Sequence, residues 1–297
     1  MTAIPVLPTE PEIQSARTFR HVLSVIVRDP LSLISTIVII LFILIAIFAW
    51  QVAPYPLEGA GKTNVSHSML PPSPGHPFGA DRLGRDMLSR VIMGARPALI
   101  VPIGVVLFAV LIGAPLGAIA GYKGGWVDET IMRITDLFLA FPSLLLAMAI
   151  ASALGRGLQN AAIALVVSWW PWYTRLVRGV TISLRERYFI EAAQATGVRD
   201  SVIILRHILP NTISPILVQA TVDLGLVILA MGGLAFLGLG TQPPSPDWGL
   251  MVSEGRDFIL KQWWISTFPG LAIFIVVLAF NLLGDTLRDI FDPRQYR

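Results

Sequence analysis

Two stretches of this chain, Leu31–Trp50 and Pro97–Tyr122, contain no charged residue. About 20 consecutive apolar residues suffice to cross the hydrocarbon of a bilayer, so each reads as a membrane span. The whole chain agrees: it is 54% hydrophobic and 14% charged, where soluble domains carry about 25% charge. The first run follows a polar, proline-bearing segment and is long for the core of a signal peptide, which makes it an uncleaved span. Four further spans are expected, at about Glu129–Leu154, Leu158–Val177, Thr212–Phe236 and Ile265–Asp285. The expected fold is an all-α integral membrane protein with six transmembrane helices. There is no cysteine, which removes disulfides and thiolate metal sites.

Six spans put both termini on one side. With the N-terminus inside, the cytoplasmic segments hold 3, 2, 6 and 3 Lys plus Arg and the external ones 5, 1 and 2, or 14 against 8. Positive charge resists translocation, so both termini are expected in the cytoplasm. Topology therefore accounts for the basic residues, and the formal net charge of +3 argues for no nucleic-acid partner. The chain divides into a cytoplasmic tail 1–30, a first transmembrane helix 31–50, an extracytoplasmic loop 51–96, a core of five spans 97–286 and a cytoplasmic tail 287–297. Within the loop, Asp81–Arg96 reads as an amphipathic helix lying in the headgroup region. Met87, Leu88, Val91 and Ile92 share its apolar face, while Arg85, Ser89, Arg90 and Arg96 do not.

The longest polar run between spans, Ser183–Asn211, falls on the cytoplasmic side. Ser183-Leu184-Arg185-Glu186 has the spacing of a capping box. Tyr188, Ala192 and Ala195 then share a helical face, with Phe189, Ala193 and Thr196 beside them. Gly197 suits the end of that helix, because it accepts the left-handed conformation of a C-terminal cap. Asp200 or Ser201 suits the start of a second short helix, and Pro210 closes the run.

Motifs for chemistry are few. Gly61-Lys62-Thr63 resembles the end of a phosphate loop, but Pro56 stands where that loop needs its first glycine, and a membrane span precedes it. The chain is therefore not expected to hydrolyse nucleotide. The four histidines show no HExxH spacing, and there is no GxSxG elbow. His67 and His76 share one loop and read as surface residues. No metal site, hydrolytic constellation or redox constellation emerges, and the chain is not expected to be an enzyme.

Polar and small residues inside the spans are more informative. Asp223 stands midway along the fifth span, where a carboxylate is costly unless paired or hydrated. It is a candidate for lining a polar path or for a structural hydrogen bond to a neighbouring helix. Gly113, Gly117 and Gly121 recur every four residues on the second span, a stripe that lets another helix backbone approach closely. Arg133 and Asp136 lie one turn apart and read as an interfacial pair. Pro171, within the aromatic cluster Trp169–Tyr173, permits a bend.

Glu191-Ala192-Ala193, Gly197 and Leu209-Pro210 have the spacing of the EAA loop of binding-protein-dependent ABC importer permeases. Four further runs narrow the match: HPFGADRLGRDMLSRVIMGAR (76–96), GGWVDETIMRITDLFLAFPSLLLA (124–147), FLGLGTQPPSPDWG (236–249) and LAFNLLGDTLRDIFDPR (278–294). From about residue 20 onward the chain resembles the dipeptide/oligopeptide/nickel permease family, in its second, DppC-like subunit. It departs from the family at Met231–Ala235, where many relatives carry an acidic residue.

The resemblance implies a type I ABC importer transmembrane fold in the bacterial cytoplasmic (inner) membrane. It also implies partners: a second, DppB-like permease, two cytoplasmic ATPase subunits and an extracytoplasmic solute-binding protein. No cofactor is implied for this chain, ATP and Mg being held by the ATPase subunits. The coupling positions carried over are Glu191, Ala192, Ala193, Gly197, Leu209 and Pro210. The implied substrate is a di- or oligopeptide, with nickel or another metal chelate, glutathione or an opine-like solute as alternatives. A different class, an ion-coupled secondary carrier titrating at Asp223, would commonly show repeated halves, and no obvious repeat is present.

Overall fold

In hydrocarbon no water can satisfy a backbone N–H or C=O, so a spanning segment must bond to itself as a helix. A computed structural model describes residues 26–291. The expected tails 1–30 and 287–297 lie mostly outside the described residues. Within them the principal helices are α1 Pro30–Ile47, α2 Met87–Lys123, α3 Gly125–Leu139, α4 Ser143–Leu154 and α5 Leu158–Arg185. They continue with α6 Tyr188–Ala195, α7 Ile213–Phe236, α8 Trp248–Gly255 and α9 Trp264–Phe291. Helices α1, α2, α7 and α9 are each long and apolar enough to cross a membrane. The expected third span is broken: α3 and α4 meet at an angle of 84°. Helix α5 has the length of a span, at 28 residues, but Gln159, Asn160 and the Trp169–Tyr173 cluster keep its hydropathy below that of the other four.

Helix α2 has 37 residues and rises about 55 Å, against about 30 Å of bilayer hydrocarbon. Its first turns, from Met87 to about Arg96, are the segment expected as a separate amphipathic helix over Asp81–Arg96. That expectation is corrected: 81–86 is not helical, Asp86 caps α2 by accepting from the Ser89 amide at 2.8 Å, and the helix runs on unbroken. The polar face also points inward. Arg85 and Arg90 are 1% and 0% exposed. Arg85 donates to Asp81 at 2.5 Å and to Glu254 of α8 at 3.1 Å, and Arg90 donates to the Pro244 carbonyl at 3.3 Å. Helical spacing groups residues on a face but cannot say what covers it; here a loop and α8 supply the carboxylates. His76, expected at the surface, is likewise buried. It sits 2.8 Å from Asp86 and stacks on Tyr55.

The glycine stripe does what its spacing implies. Side chains added at Gly113, Gly117 and Gly121 would meet the carbonyl oxygens of Trp170, Thr174 and Arg178 at 2.5, 2.4 and 2.8 Å. Both residue series ascend together, so α2 and α5 run parallel with their backbones in contact. A second close approach lies between α7 and α8, where a Cβ on Gly249 would stand 2.3 Å from the Gly232 oxygen. Gly232 belongs to Met231–Ala235, the segment at which the family resemblance lapses, and here it forms a helix crossing. In the first turn of α1, Ser32 meets Thr286 of α9, hydroxyl to hydroxyl, at 2.6 Å.

Forcing a side chain into the α2–α5 contact costs about 1–3 kcal/mol, because overpacked atoms must shift. Gly117→Ala should lower the melting temperature of the purified protein. Gly104→Ala, on the same helix with nothing within 4 Å, should not.

Candidate functional site

The polar run after α5 folds into a short helix carried on a buried apolar keel. Ile190, Ile203 and Ile208 are each 0% exposed and pack with Ile204, with Ala114, Ala118 and Tyr122 of α2 and with Val177 of α5. The opposite side of α6 is open: Glu191, Ala192, Gln194 and Ala195 are exposed, as are Tyr188, Phe189 and, further on, Leu205. Ala193 is half-buried and packs into the same cluster as Val198 and Leu209. Pro210 is exposed. The structure thus brings Glu191, Ala192 and Gly197 to the surface and puts Ala193 and Leu209 between that surface and the keel.

Gly197 ends α6 as expected, at φ +76°. Its amide bonds to the Gln194 carbonyl at 3.0 Å and the Val198 amide to the Ala193 carbonyl at 3.1 Å. That pair of bonds is a Schellman motif, with the Val198–Ala193 contact that accompanies it. Two other expectations are corrected. Ser183–Glu186 is no capping box: α5 continues to Arg185, and α6 begins after Arg187 without a side-chain cap. Pro210 does not stop the second helix. Asp200–Ile203 is helical, Ile204–Ile208 widens to a π-helix, and Leu209–Asn211 continues it. Proline lacks an N–H and crowds the carbonyl four residues back, and the π-turn, closed by the Leu209 amide on the Ile204 carbonyl, makes room for it.

Polar bonds tie this unit to the spans. Tyr122 at the end of α2 donates to Asp200 at 3.1 Å and accepts from Gln194 of α6 at 3.2 Å. Arg178 of α5 grips Asp128 of α3 with two bonds, at 2.5 and 2.6 Å. A bidentate pair of this kind fixes geometry as well as charge. The pairing expected between Arg133 and Asp136 does not form: Arg133 takes Glu129, and Asp136 takes Arg175 of α5. Tyr122, Gln194 and Asp128 escaped the sequence reading, because their partners lie 50 to 78 residues away and no local pattern announces them.

Asp223 lies in the protein's own core, 4% exposed. Gln219, one turn earlier on α7, donates to its Oδ1 at 3.1 Å, and Trp169 and Tyr173 of α5 surround it. Its Oδ2 and the Tyr173 hydroxyl are each buried without a hydrogen-bond partner among the described residues. Its one hydrogen bond among the described residues is therefore within α7, and α5 contributes the packing around it.

An all-helical protein with several apolar spans and a short exposed helix slung between two of them is a membrane permease of the ABC importer type. The chain belongs to the binding-protein-dependent transport system inner membrane component family, whose model matches residues 113–297, and within it to the DppC type. A second model, the N-terminal TM domain of oligopeptide transport permease C, matches residues 18–72. The dipeptide transport system permease protein DppC of Alkalihalophilus pseudofirmus is 46% identical over 97% of this chain and 93% of its own length. The probable D,D-dipeptide permease DdpC of Escherichia coli K12 is 42% identical over 90% and 88%, and the glutathione permease GsiD of E. coli O6:K15:H31 is 45% identical over 90% and 88%. An inward-facing structure of the MetNI methionine ABC transporter shares the fold at TM-score 0.55 and 19% identity, covering 69% of this chain and 98% of that one. The protein is a multi-pass component of the bacterial inner membrane.

Asparagine at position 223 still accepts from Gln219 and keeps the shape of the site, so the cost stays within about 0.5–1.5 kcal/mol. Because that cost falls on folding stability and not on transport, Asp223→Asn should leave uptake per assembled transporter within about twofold. Loss of uptake in a folded, assembled complex would return Asp223 to the pathway.

Proposed function

We propose that this chain is one of two unlike permeases of an ATP-driven importer of di- and oligopeptides, and that an ATPase subunit grips it at α6. The observation that carries the reading is the two-sidedness of α6. Its underside is welded by isoleucines to α2 and α5, while Glu191, Ala192 and Tyr188 stand free. A helix with small residues outward fits closely into a groove, and a rigid keel passes the push on rather than absorbing it. Glu191, Ala192, Ala193 and Gly197 form the docking element, while Leu209 and Pro210 link it to α7. ATP and Mg belong to the two ATPase subunits.

In this reading the chain crosses the membrane six times with both ends in the cytoplasm. It counts α5 as one span and the α3–α4 pair as another, and rests on the excess of Lys and Arg in the inner segments. A DppB-like permease completes the path, and an extracytoplasmic binding protein delivers the solute. Peptide as substrate rests on the dipeptide, D,D-dipeptide and glutathione permeases among the relatives, whose solutes share amide chemistry.

The test is reconstitution of the two permeases, the ATPases and the binding protein in vesicles. Uptake of labelled dipeptide should require ATP inside. Ala192→Trp, which adds bulk to the open face alone, should reduce uptake about tenfold or more, since about 1.4 kcal/mol of lost docking is enough, at an unchanged level of permease in the membrane. Unaltered assembly and peptide-stimulated ATP hydrolysis in that variant would refute the docking assignment.

A further inference from the structure

Helix α4 has 12 residues and rises about 18 Å, short of the roughly 30 Å of hydrocarbon. The break between α3 and α4, at Ala140–Phe141–Pro142, therefore lies inside the membrane. Trp172 gives the same depth independently. Its indole faces Ser143 Oγ at 3.4 Å, and it lies about 21 Å along α5 from Leu158 at 1.5 Å per residue.

Backbone groups are left open at this break. Pro142 has no N–H, the Phe138 carbonyl receives a stretched bond of 3.4 Å from Phe141 and a share of the Ala140 amide, and the Leu139 and Ala140 carbonyls receive no backbone bond among the described residues. The first amides of α4 have no side-chain cap. The face is uncovered by the rest of the described chain: Leu137, Phe141 and Trp172 are 68%, 60% and 48% exposed. One turn away, the Asp136–Arg175 ion pair is about half exposed on the same face. Open backbone and an ion pair facing lipid would cost several kcal/mol per group, and such structure is tolerated at membrane depth only inside protein or along a water-filled cavity.

We infer that the Ala140–Ser143 break, with Trp172 and the Asp136–Arg175 pair, lines the aqueous translocation path and takes the backbone amides of a peptide in transit. Free carbonyls and amides pair with peptide groups whatever the side chains, and an indole face accepts varied side chains. This assignment of the contact site rests on the proposed peptide import.

The chain has no cysteine, so single cysteines introduced by Phe141→Cys or Trp172→Cys report cleanly when the assembled importer is labelled and the label is read on this subunit after separation. Both should react with a charged, water-soluble thiosulfonate during ATP turnover, and saturating dialanine with its binding protein should slow the reaction several-fold. Reaction with lipid-soluble maleimide alone, no reaction in any state, or water-soluble labelling that dialanine leaves unchanged would each overturn the site. Using two positions guards against one variant failing to fold. Dialanine uptake by the complex carrying the unaltered chain is measured alongside; its absence, with water-soluble labelling intact, would overturn the peptide reading and leave the path position standing.

Discussion

The contact between α2 and α5 is the constraint on which the rest of this protein depends. Three glycines bring two backbones together at distances no side chain could share. Because the helices run parallel, one end of the contact faces the buried Tyr173 and Asp223, and the other faces the base of α6. Tyr122 stands one residue beyond the last glycine and touches Asp200 and Gln194 of the polar loop. The exposed face of α6, its keel and the polar cluster in mid-span are thus all referenced to one helix pair. Shifting that pair would change all three together, which suits an element that moves as a rigid body.

Much of this architecture was legible in the sequence because it depends on local period or on elimination. Uncharged runs located α1 to within three residues and the C-terminal end of α2 to within one, while α2 begins ten residues before its uncharged run and α5 ends eight residues beyond the expected span. A four-residue glycine repeat identified the close contact. What failed did so where the deciding partner is distant in sequence. Arg85 and Arg90 read as solvent-facing, since nothing near them reveals that Glu254 closes over them. Asp136 had Arg133 at hand and chose Arg175, because the bend at Pro142 turns α3 against α5. The capping box at Ser183 has the right residues but lies inside the last turns of α5, where the helix still has its own backbone bonds to make.

Asp223 and the α3–α4 break invert the simplest rule for finding a path through a membrane protein. The charged residue in mid-span is enclosed by its own chain, bonded within α7 and packed against α5. The segment with no charge of its own, Ala140–Pro142, leaves polar backbone uncovered. Hydropathy sees only side chains, so it flags the first and passes over the second.

Helix α2 is about 25 Å longer than a bilayer's hydrocarbon requires, and that surplus has a use. Its first turns are locked into the ionic knot of Asp81, Arg85, Arg90 and Glu254, and its last residues hold the loop that carries α6. One continuous rod is therefore anchored in a structured cap at one end and bonded to the loop carrying α6 at the other. A rod held this way has one lever arm: were α6 displaced relative to the bilayer, α2 would tilt about its capped end, and the arc swept would be largest where the loop attaches.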